Sequence, residues 1–190
     1  MRKGVLRADV LRTYEYCRGG RLRKTVSCSR SPGVHAVIVF RFGQWLLRRN
    51  ILWRILLDPL YLVLNHFIQT MWGIELPRTA TIGPGLYIGH FGGITISGKA
   101  VIGSGCNISQ NVTIGVGGSG ERKGVPVIGN NVRIAPGARV FGKITVGNNA
   151  RIGANAVIHA DIPDNAIAVL DPGFTIVSYV DGPPRDEQQG

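Results

Sequence analysis

Cysteine is scarce in this 190-residue chain: Cys17, Cys28 and Cys106, with no Cys-x-x-Cys pair. An odd, widely spaced set supports neither a disulfide framework nor a zinc finger. It fits a reducing compartment, so a cytoplasmic location is expected. Histidine is nearly as scarce, with four in all, and no metal site is expected from them. Acidic side chains are almost missing from the first part of the chain. Residues 1–54 hold thirteen Lys+Arg against Asp9 and Glu15, which accounts for the whole formal net charge of +11. An excess of this size ordinarily points to nucleic acid. Here it is confined to one segment and the remainder is balanced, so no nucleic-acid partner is expected. An uninterrupted apolar run is missing as well. Residues 51–72 have the length of a bilayer span but carry Arg54, Asp58, Pro59, Asn65, His66 and Gln69.

What is present divides the chain in two. Residues 1–34 form a basic leader, expected to be loosely ordered with one short helix. No apolar run of signal-peptide type follows its first basic residues. Residues 35–75 form a helical N-terminal region rich in Leu, Ile and aromatics. Pro59 lacks a backbone N–H and should break it into helices over roughly 36–57 and 59–71. Their apolar faces have two available uses: packing on the following domain, or, with Arg41, Arg48, Arg49 and Arg54 beside Trp45 and Trp53, peripheral contact with an anionic membrane.

Glycine is concentrated further along, with 18 of 27 between Thr81 and Asp161. There a six-residue repeat begins. Aliphatic residues stand at Ile82, Ile88 and Ile94, then after a two-residue slip at Ile96, Ile102, Ile108 and Ile114. After a longer interruption they resume at Ile128, Ile134, Val140, Val146, Ile152 and Ile158. This period is the signature of a parallel β-helix, in which one aliphatic per short strand stacks on its equivalents in neighbouring coils. Gly and Asn take the turns, where positive φ or close approach is required. The fold class expected is mainly β, a β-helix over 76–163 behind a short α-helical N-terminal region. Residues 164–190 form a cap and tail, with capping strands in 166–180. The interruption over 116–127, VGGSGERKGVPV, should leave the solenoid as an exposed loop, and such loops often carry function.

Among the four histidines, His35 and His66 lie in the helical region and His159 follows an inward Ile158. His90 differs, sitting in the turn GHFGG, where glycines leave its ring accessible. A neutral imidazole there can accept a proton from a hydroxyl nucleophile. One such His cannot supply a three-His zinc site.

The segment from Ile74 to Val169, IELPRTATIGPGLYIGHFGGITISGKAVIGSGCNISQNVTIG followed by PVIGNNVRIAPGARVFGKITVGNNARIGANAVI, resembles the hexapeptide-repeat acyltransferases. Within them it is most similar to the serine O-acetyltransferases. The resemblance implies a left-handed parallel β-helix, a homotrimer and acetyl-CoA as co-substrate. It implies His90 as the catalytic base and Glu75 as the carboxylate that orients it. For acetyl-CoA it implies Gly115, Val116, Gly117, Ala135, Pro136, Gly137 and Ala138, with Lys143 or Arg151 meeting the phosphates. Arg122, in the protruding loop, is implied as an acceptor-binding residue. The acceptor is the hydroxyl of L-serine or of a sugar in polysaccharide biosynthesis. The loop has no His, and the C-terminus lacks the terminal Ile by which such enzymes dock cysteine synthase, so that docking is not expected. A reading from another class is a non-catalytic trimeric β-helix module that binds a membrane surface or RNA through its basic N-terminus. With the membrane use of that region, a cytoplasmic location peripheral at the inner membrane face is expected.

Overall fold

The computed structural model describes residues 4–170. From Ile74 onward the chain winds into a three-sided prism of two- and three-residue strands. One side stacks β1 (Ile74–Glu75), β4 (Ile94–Ile96), β7 (Thr113–Gly115), β10 (Arg139–Phe141) and β13 (Val157–Ile158). The second stacks β2 (Thr81–Ile82), β5 (Val101–Ile102), β8 (Val127–Ile128) and β11 (Thr145–Val146). The third stacks β3 (Tyr87–Ile88), β6 (Asn107–Ile108), β9 (Arg133–Ile134), β12 (Arg151–Ile152) and β14 (Ile167–Ala168). All named pairings are parallel. This is the parallel β-helix that the repeat predicts, of the left-handed kind that the resemblance implies.

All thirteen repeat positions are buried. The repeat reading captured one inward position per strand; the prism uses two. Two residues before most of the Ile/Val positions stands a second buried side chain, as at Ala80, Leu86, Ala100, Cys106, Val112, Val132, Ala138, Ile144, Ala150 and Ala156. Ala dominates this row because the prism corner leaves little radial space. Ile94 belongs to it, so Ile94 and Ile96 share one strand. The slip therefore lies elsewhere. Eight residues separate Ile88 from Ile96 where six is the rule, and the two extra residues fall in the corner between β3 and β4, the GHFGG turn.

The corners are fixed by Asn as much as by Gly. Asn111, Asn131, Asn149, Asn155 and Asn165 adopt φ between 57 and 62°, a left-handed conformation in which Asn is favoured among residues with a Cβ. Along one prism edge their amides stack: the Asn131 Nδ2 donates to Asn149 Oδ1 at 3.3 Å, and Asn149 Nδ2 to Asn165 Oδ1 at 3.0 Å.

Four helices precede the prism: α1 (Val5–Tyr16), α2 (Arg21–Ser29), α3 (Pro32–Leu46) and α4 (Ile51–Trp72). The leader is thus two helices rather than one, and α1 is held by its only two acids' unequal use: Glu15 is exposed while Asp9 is 2% exposed. The Asp9 carboxylate accepts from Arg41 Nε at 2.8 Å and from the backbone N–H groups of Gly85 and Leu86 at 2.7 and 2.9 Å. Arg41, also buried, donates onward to the carbonyls of Ile82 and Gly83, both at 2.7 Å. One ion pair therefore joins α1, α3 and the first coil. At Gly33 the helix backbone comes so close that a Cβ would meet the Ile88 carbonyl oxygen at 2.3 Å.

The expected break at Pro59 does not occur. α4 runs unbroken from Ile51 to Trp72 with Pro59 inside it. Pro59 is exposed, so the carbonyl left without its usual donor lies on the open side. Tyr61 and Ile68, buried on the other side, hold the helix straight through. Asn50 caps its start, accepting from Trp53 N, and Gly73 ends it at φ 58°. By length and composition α4 is apolar enough to cross a membrane. Of the expected capping strands, β14 lies within the described residues; from residue 171 on, with most of the Leu170–Phe174 segment, the chain lies outside them.

Candidate active site

His90 lies on the over-long corner between β3 and β4, and it is exposed. Strand register explains its projection. Tyr87 and Ile88 pair with Asn107 and Ile108, and Gly93 sits against Asn111. Residues 90–92 thus oppose Gln110 alone. They bulge out from the prism because no room exists for them in the ladder. Gly92 and Gly93, at φ 101 and 66°, make the return. Gln110 Oε1 beneath the bulge is buried without a hydrogen-bond partner. Sequence reading passed over Gln110; its place in the repeat, opposite the two surplus residues, was the available signal.

A cleft of about 270 Å³ opens beside His90. Its floor is Tyr87 to Phe91, and its wall is made by α1, α2 and α3 through Thr13, Tyr16, Cys17, Ser27, Ser31 and Pro32. Tyr16 lies flat on Tyr87, with ring centroids 4.1 Å apart and planes 16° from parallel. Burial pushes the Tyr87 phenol up, so it stays protonated. Burial likewise pushes up the thiols of Cys28 and Cys106, leaving them inert as nucleophiles.

Glu75 stands on β1 opposite Thr95 of β4, in a separate hollow of about 390 Å³ with Gln69, Gly73, Gly93 and Ile94. The Gly92–Gly93 return lies between it and His90. Both side chains are exposed, and no hydrogen bond or ion pair joins them among the described residues.

Below His90 on the β3–β6–β9–β12 face runs a groove of about 370 Å³. It gathers Ala135, Pro136 and Arg151 with Ser109 and Arg133. Gly137 and Ala138 follow at the same prism edge as His90, where Gly137 N donates to the Gln110 carbonyl. Arg133 and Arg151 are direct neighbours in register and both exposed. Like charges so placed repel, unless an anion lies between them. At about 4.8 Å per coil they stand about 10 and 14 Å below the His90 coil. Arg133 was missed from sequence although eighteen residues, three repeats, separate it from Arg151.

The remaining site residues fall elsewhere. Gly115, Val116, Gly117, Arg122 and Lys143 gather at the edge between β7 and β8, where the chain leaves the prism over 116–126. There Gly117 and Gly124 bond to each other twice at 3.0 Å, and Arg122 lies in a short helical turn, Gly120–Arg122. Lys143 N donates to the Arg122 carbonyl at 3.1 Å. This is a different edge from that of His90, so the expected set forms two half-sites on one chain.

The six-residue repeat that builds the solenoid has a match among known families. The family model described as bacterial transferase hexapeptide (six repeats) matches residues 126–160. The chain is similar to a serine acetyltransferase of Helicobacter pylori (strain J99), at 36% identity over 145 residues, covering 76% of this chain and 81% of the relative. With a serine acetyltransferase of Synechococcus elongatus it shares 35% over 159 residues, 83% of this chain and 63% of the relative. Two solved structures overlay closely. Serine acetyltransferase isoform 3 of Entamoeba histolytica, in complex with cysteine, has a TM-score of 0.73 at 26% identity over 94% of this chain and 61% of its own. The Brucella abortus enzyme in complex with coenzyme A has a TM-score of 0.72 at 26% identity over 90% of this chain and 65% of its own. The chain belongs to the serine acetyltransferase family.

Proposed function

We propose that this chain is an acetyl-CoA-dependent O-acetyltransferase with His90 as its base, acting on the hydroxyl of L-serine or of a sugar, the latter placing it in polysaccharide biosynthesis. The observation that carries this is the His90 bulge at the head of a groove whose two stacked arginines suit the phosphates of CoA. His90 takes the acceptor's hydroxyl proton as its oxygen attacks the thioester carbonyl carbon. The C–O bond forms, the C–S bond breaks, and the proton passes from His90 to the departing sulfur, giving an ester and free CoA. Glu75, beyond the Gly92–Gly93 return, is assigned as the carboxylate that orients His90 and fixes the ring's tautomer. The backbone of Ala135 to Ala138 lines the path of the pantetheine arm, and Arg133 and Arg151 hold its phosphate end. His90→Ala should lower turnover about 10²–10⁴-fold while CoA binding, read by calorimetry, persists. Unchanged turnover in that variant defeats the assignment.

The two half-sites support a homotrimer, in which the loop edge of one prism faces the His90 edge of the next. Arg122, Lys143 and Gly115–Gly117 then reach the reaction from the neighbouring subunit. Sedimentation of the intact chain as a monomer at assay concentration defeats this arrangement.

The helical region supports attachment to an anionic lipid surface, in the cell the inner membrane face. On α4 the exposed apolar residues, among them Ile51, Leu52, Ile55, Leu56, Leu60, Leu62, Val63, Phe67 and Met71, sweep about 200° of the helix circumference at 3.6 residues per turn. That is wider than one helix–helix stripe of about 100°. Arg78 of the first coil grips Asp58 at mid-helix, so α4 lies along the lipid rather than across it. Exposed Arg48 and Arg49, the latter over Trp45 with its guanidinium 4.6 Å from the ring, meet the headgroups. Co-sedimentation with phosphatidylglycerol vesicles, weakened by salt, is expected. Equal binding to phosphatidylcholine vesicles, or binding to neither, defeats it.

A further inference from the structure

Gln110 holds one particular level of the prism edge. Directly above it is the His90 bulge, where the Asn111 N–H donates to the Gly92 carbonyl at 2.8 Å. Directly below it is the Pro136–Ala138 corner, where the Gly137 N–H donates to the Gln110 carbonyl at 3.0 Å. The side chain is half-buried, and its Oε1 lies fully inside with no hydrogen-bond partner among the described residues. Enclosed by its own chain, that oxygen is out of reach of an adjoining copy. An amide whose oxygen is turned inward presents its NH2 toward the surface.

An orphaned buried acceptor weakens a fold, so its presence calls for a reason. A side chain kept against local stability is expected where its other end serves chemistry. The levels of the prism say which chemistry. Coils are about 4.8 Å apart, so Gln110 stands about 5 Å below His90 and Pro136 about 10 Å below it. The acceptor oxygen must come within about 3 Å of the His90 nitrogen that takes its proton. The thioester carbonyl carbon must come within about 3–3.5 Å of that oxygen. The pantetheine arm arrives from the Ala135–Ala138 coil. The reacting carbonyl therefore falls at the single level between, which is that of Gln110.

As the acceptor oxygen attacks, an electron pair moves from the C=O bond onto the carbonyl oxygen. It returns when the C–S bond breaks. In between, the negative charge needs a hydrogen-bond donor already in place. A neutral amide N–H supplies one without gaining or losing a proton. We propose that Gln110 Nε2 is an oxyanion donor of this site, bonding the thioester oxygen as it becomes charged. The proposal rests on the reading of His90 as the base and adds a second catalytic residue one coil below it. Ser109, one residue earlier and lining the groove, is the neighbouring hydroxyl against which it is tested.

The experiment uses the intact chain with acetyl-CoA and L-serine and follows release of CoA thiol. Gln110→Leu keeps the side chain's bulk and removes both ends of the amide. It should lower kcat about 10²–10³-fold with the acetyl-CoA KM little changed. Its melting temperature should equal or exceed that of the wild type, because the orphaned acceptor is gone. Gln110→Glu puts an oxygen where the NH2 was, and at neutral pH it should lose more than Gln110→Leu. S-ethyl-CoA, a thioether with no carbonyl, should inhibit the wild type and both variants alike. A kcat near wild type in Gln110→Leu overturns the proposal, as does a larger loss in Ser109→Ala. Equal losses in the Leu and Glu variants with lowered melting temperatures make Gln110 a mere support for the bulge and overturn it too. Absence of thiol release by the wild type, with L-serine and methyl hexosides alike, overturns the transferase reading instead.

Discussion

The helical region and the β-helix solve the same stability problem by opposite means. In the β-helix each coil repeats its neighbour's solution: an aliphatic over an aliphatic, an Asn over an Asn. Burial is spread over thirteen repeat positions and a second row of small residues. In the helical region a few singular contacts join unlike parts, above all Asp9 with Arg41 and the meeting of Gly33 with Ile88. Repetition makes a structure whose local losses stay local. Singular contacts make one in which a single loss releases a whole element.

That contrast can be broken or sharpened by substitution. Asp9→Ala leaves Arg41 buried without its partner and strips two first-coil amides of their acceptor. Loss of one partner of a buried pair costs about 3–5 kcal/mol. Urea unfolding should show an early transition that removes helical circular dichroism and leaves the β signal in place. A single late transition would show that the helices and prism unfold as one body. Asn149→Ala interrupts the amide ladder and forces Ala into a left-handed conformation at about 1–2 kcal/mol. It should lower the later transition alone, and a shift of the early one would contradict the locality of ladder losses. The smallest effect is expected at Asp58→Asn. The hydrogen bond from Arg78 holds the Asp58 carboxyl below its ordinary value, with Arg54 adding to it. Its contribution to stability is therefore present above the usual carboxylate range, near pH 4, and is lost as pH falls through the lowered value. The variant should flatten the acid limb of stability against pH, lying slightly below the wild type at neutral pH and meeting it at low pH.

The same contrast decides what the sequence makes legible. A repeat announces itself, so the prism, its inward Ile positions and an excursion at 116–127 follow from spacing; the structure ends it one residue earlier, with Val127 in β8. The second inward row was invisible because Ala, Cys and Val at one position do not look like a pattern until the first row is set. Singular contacts leave no periodic trace. Thirty-two residues separate Asp9 from Arg41, and nothing in either neighbourhood marks them as partners. Pro59 misled for a related reason: the rule that Pro ends a helix counts the lost hydrogen bond and not the packing of Tyr61 and Ile68 beyond it. In the site, His90 was legible from its glycines. The separation of Arg122 and Lys143 from it was not, since only strand order assigns residues to edges of the prism.

The two surplus residues in the β3–β4 corner have a meaning beyond projecting a side chain. Stacked coils with equal spacing and equal cores carry no coordinate along their axis; one level is interchangeable with the next. A mismatch of two residues can exist only where its neighbour below offers a shorter corner, and so it labels one level and no other. The long excursion labels a second level, one coil further along. Together they act as two marks on a ruler, fixing how far apart the His90 bulge and the 116–126 excursion stand along the axis. Moving either mark by a coil should leave the scaffold intact and change that spacing.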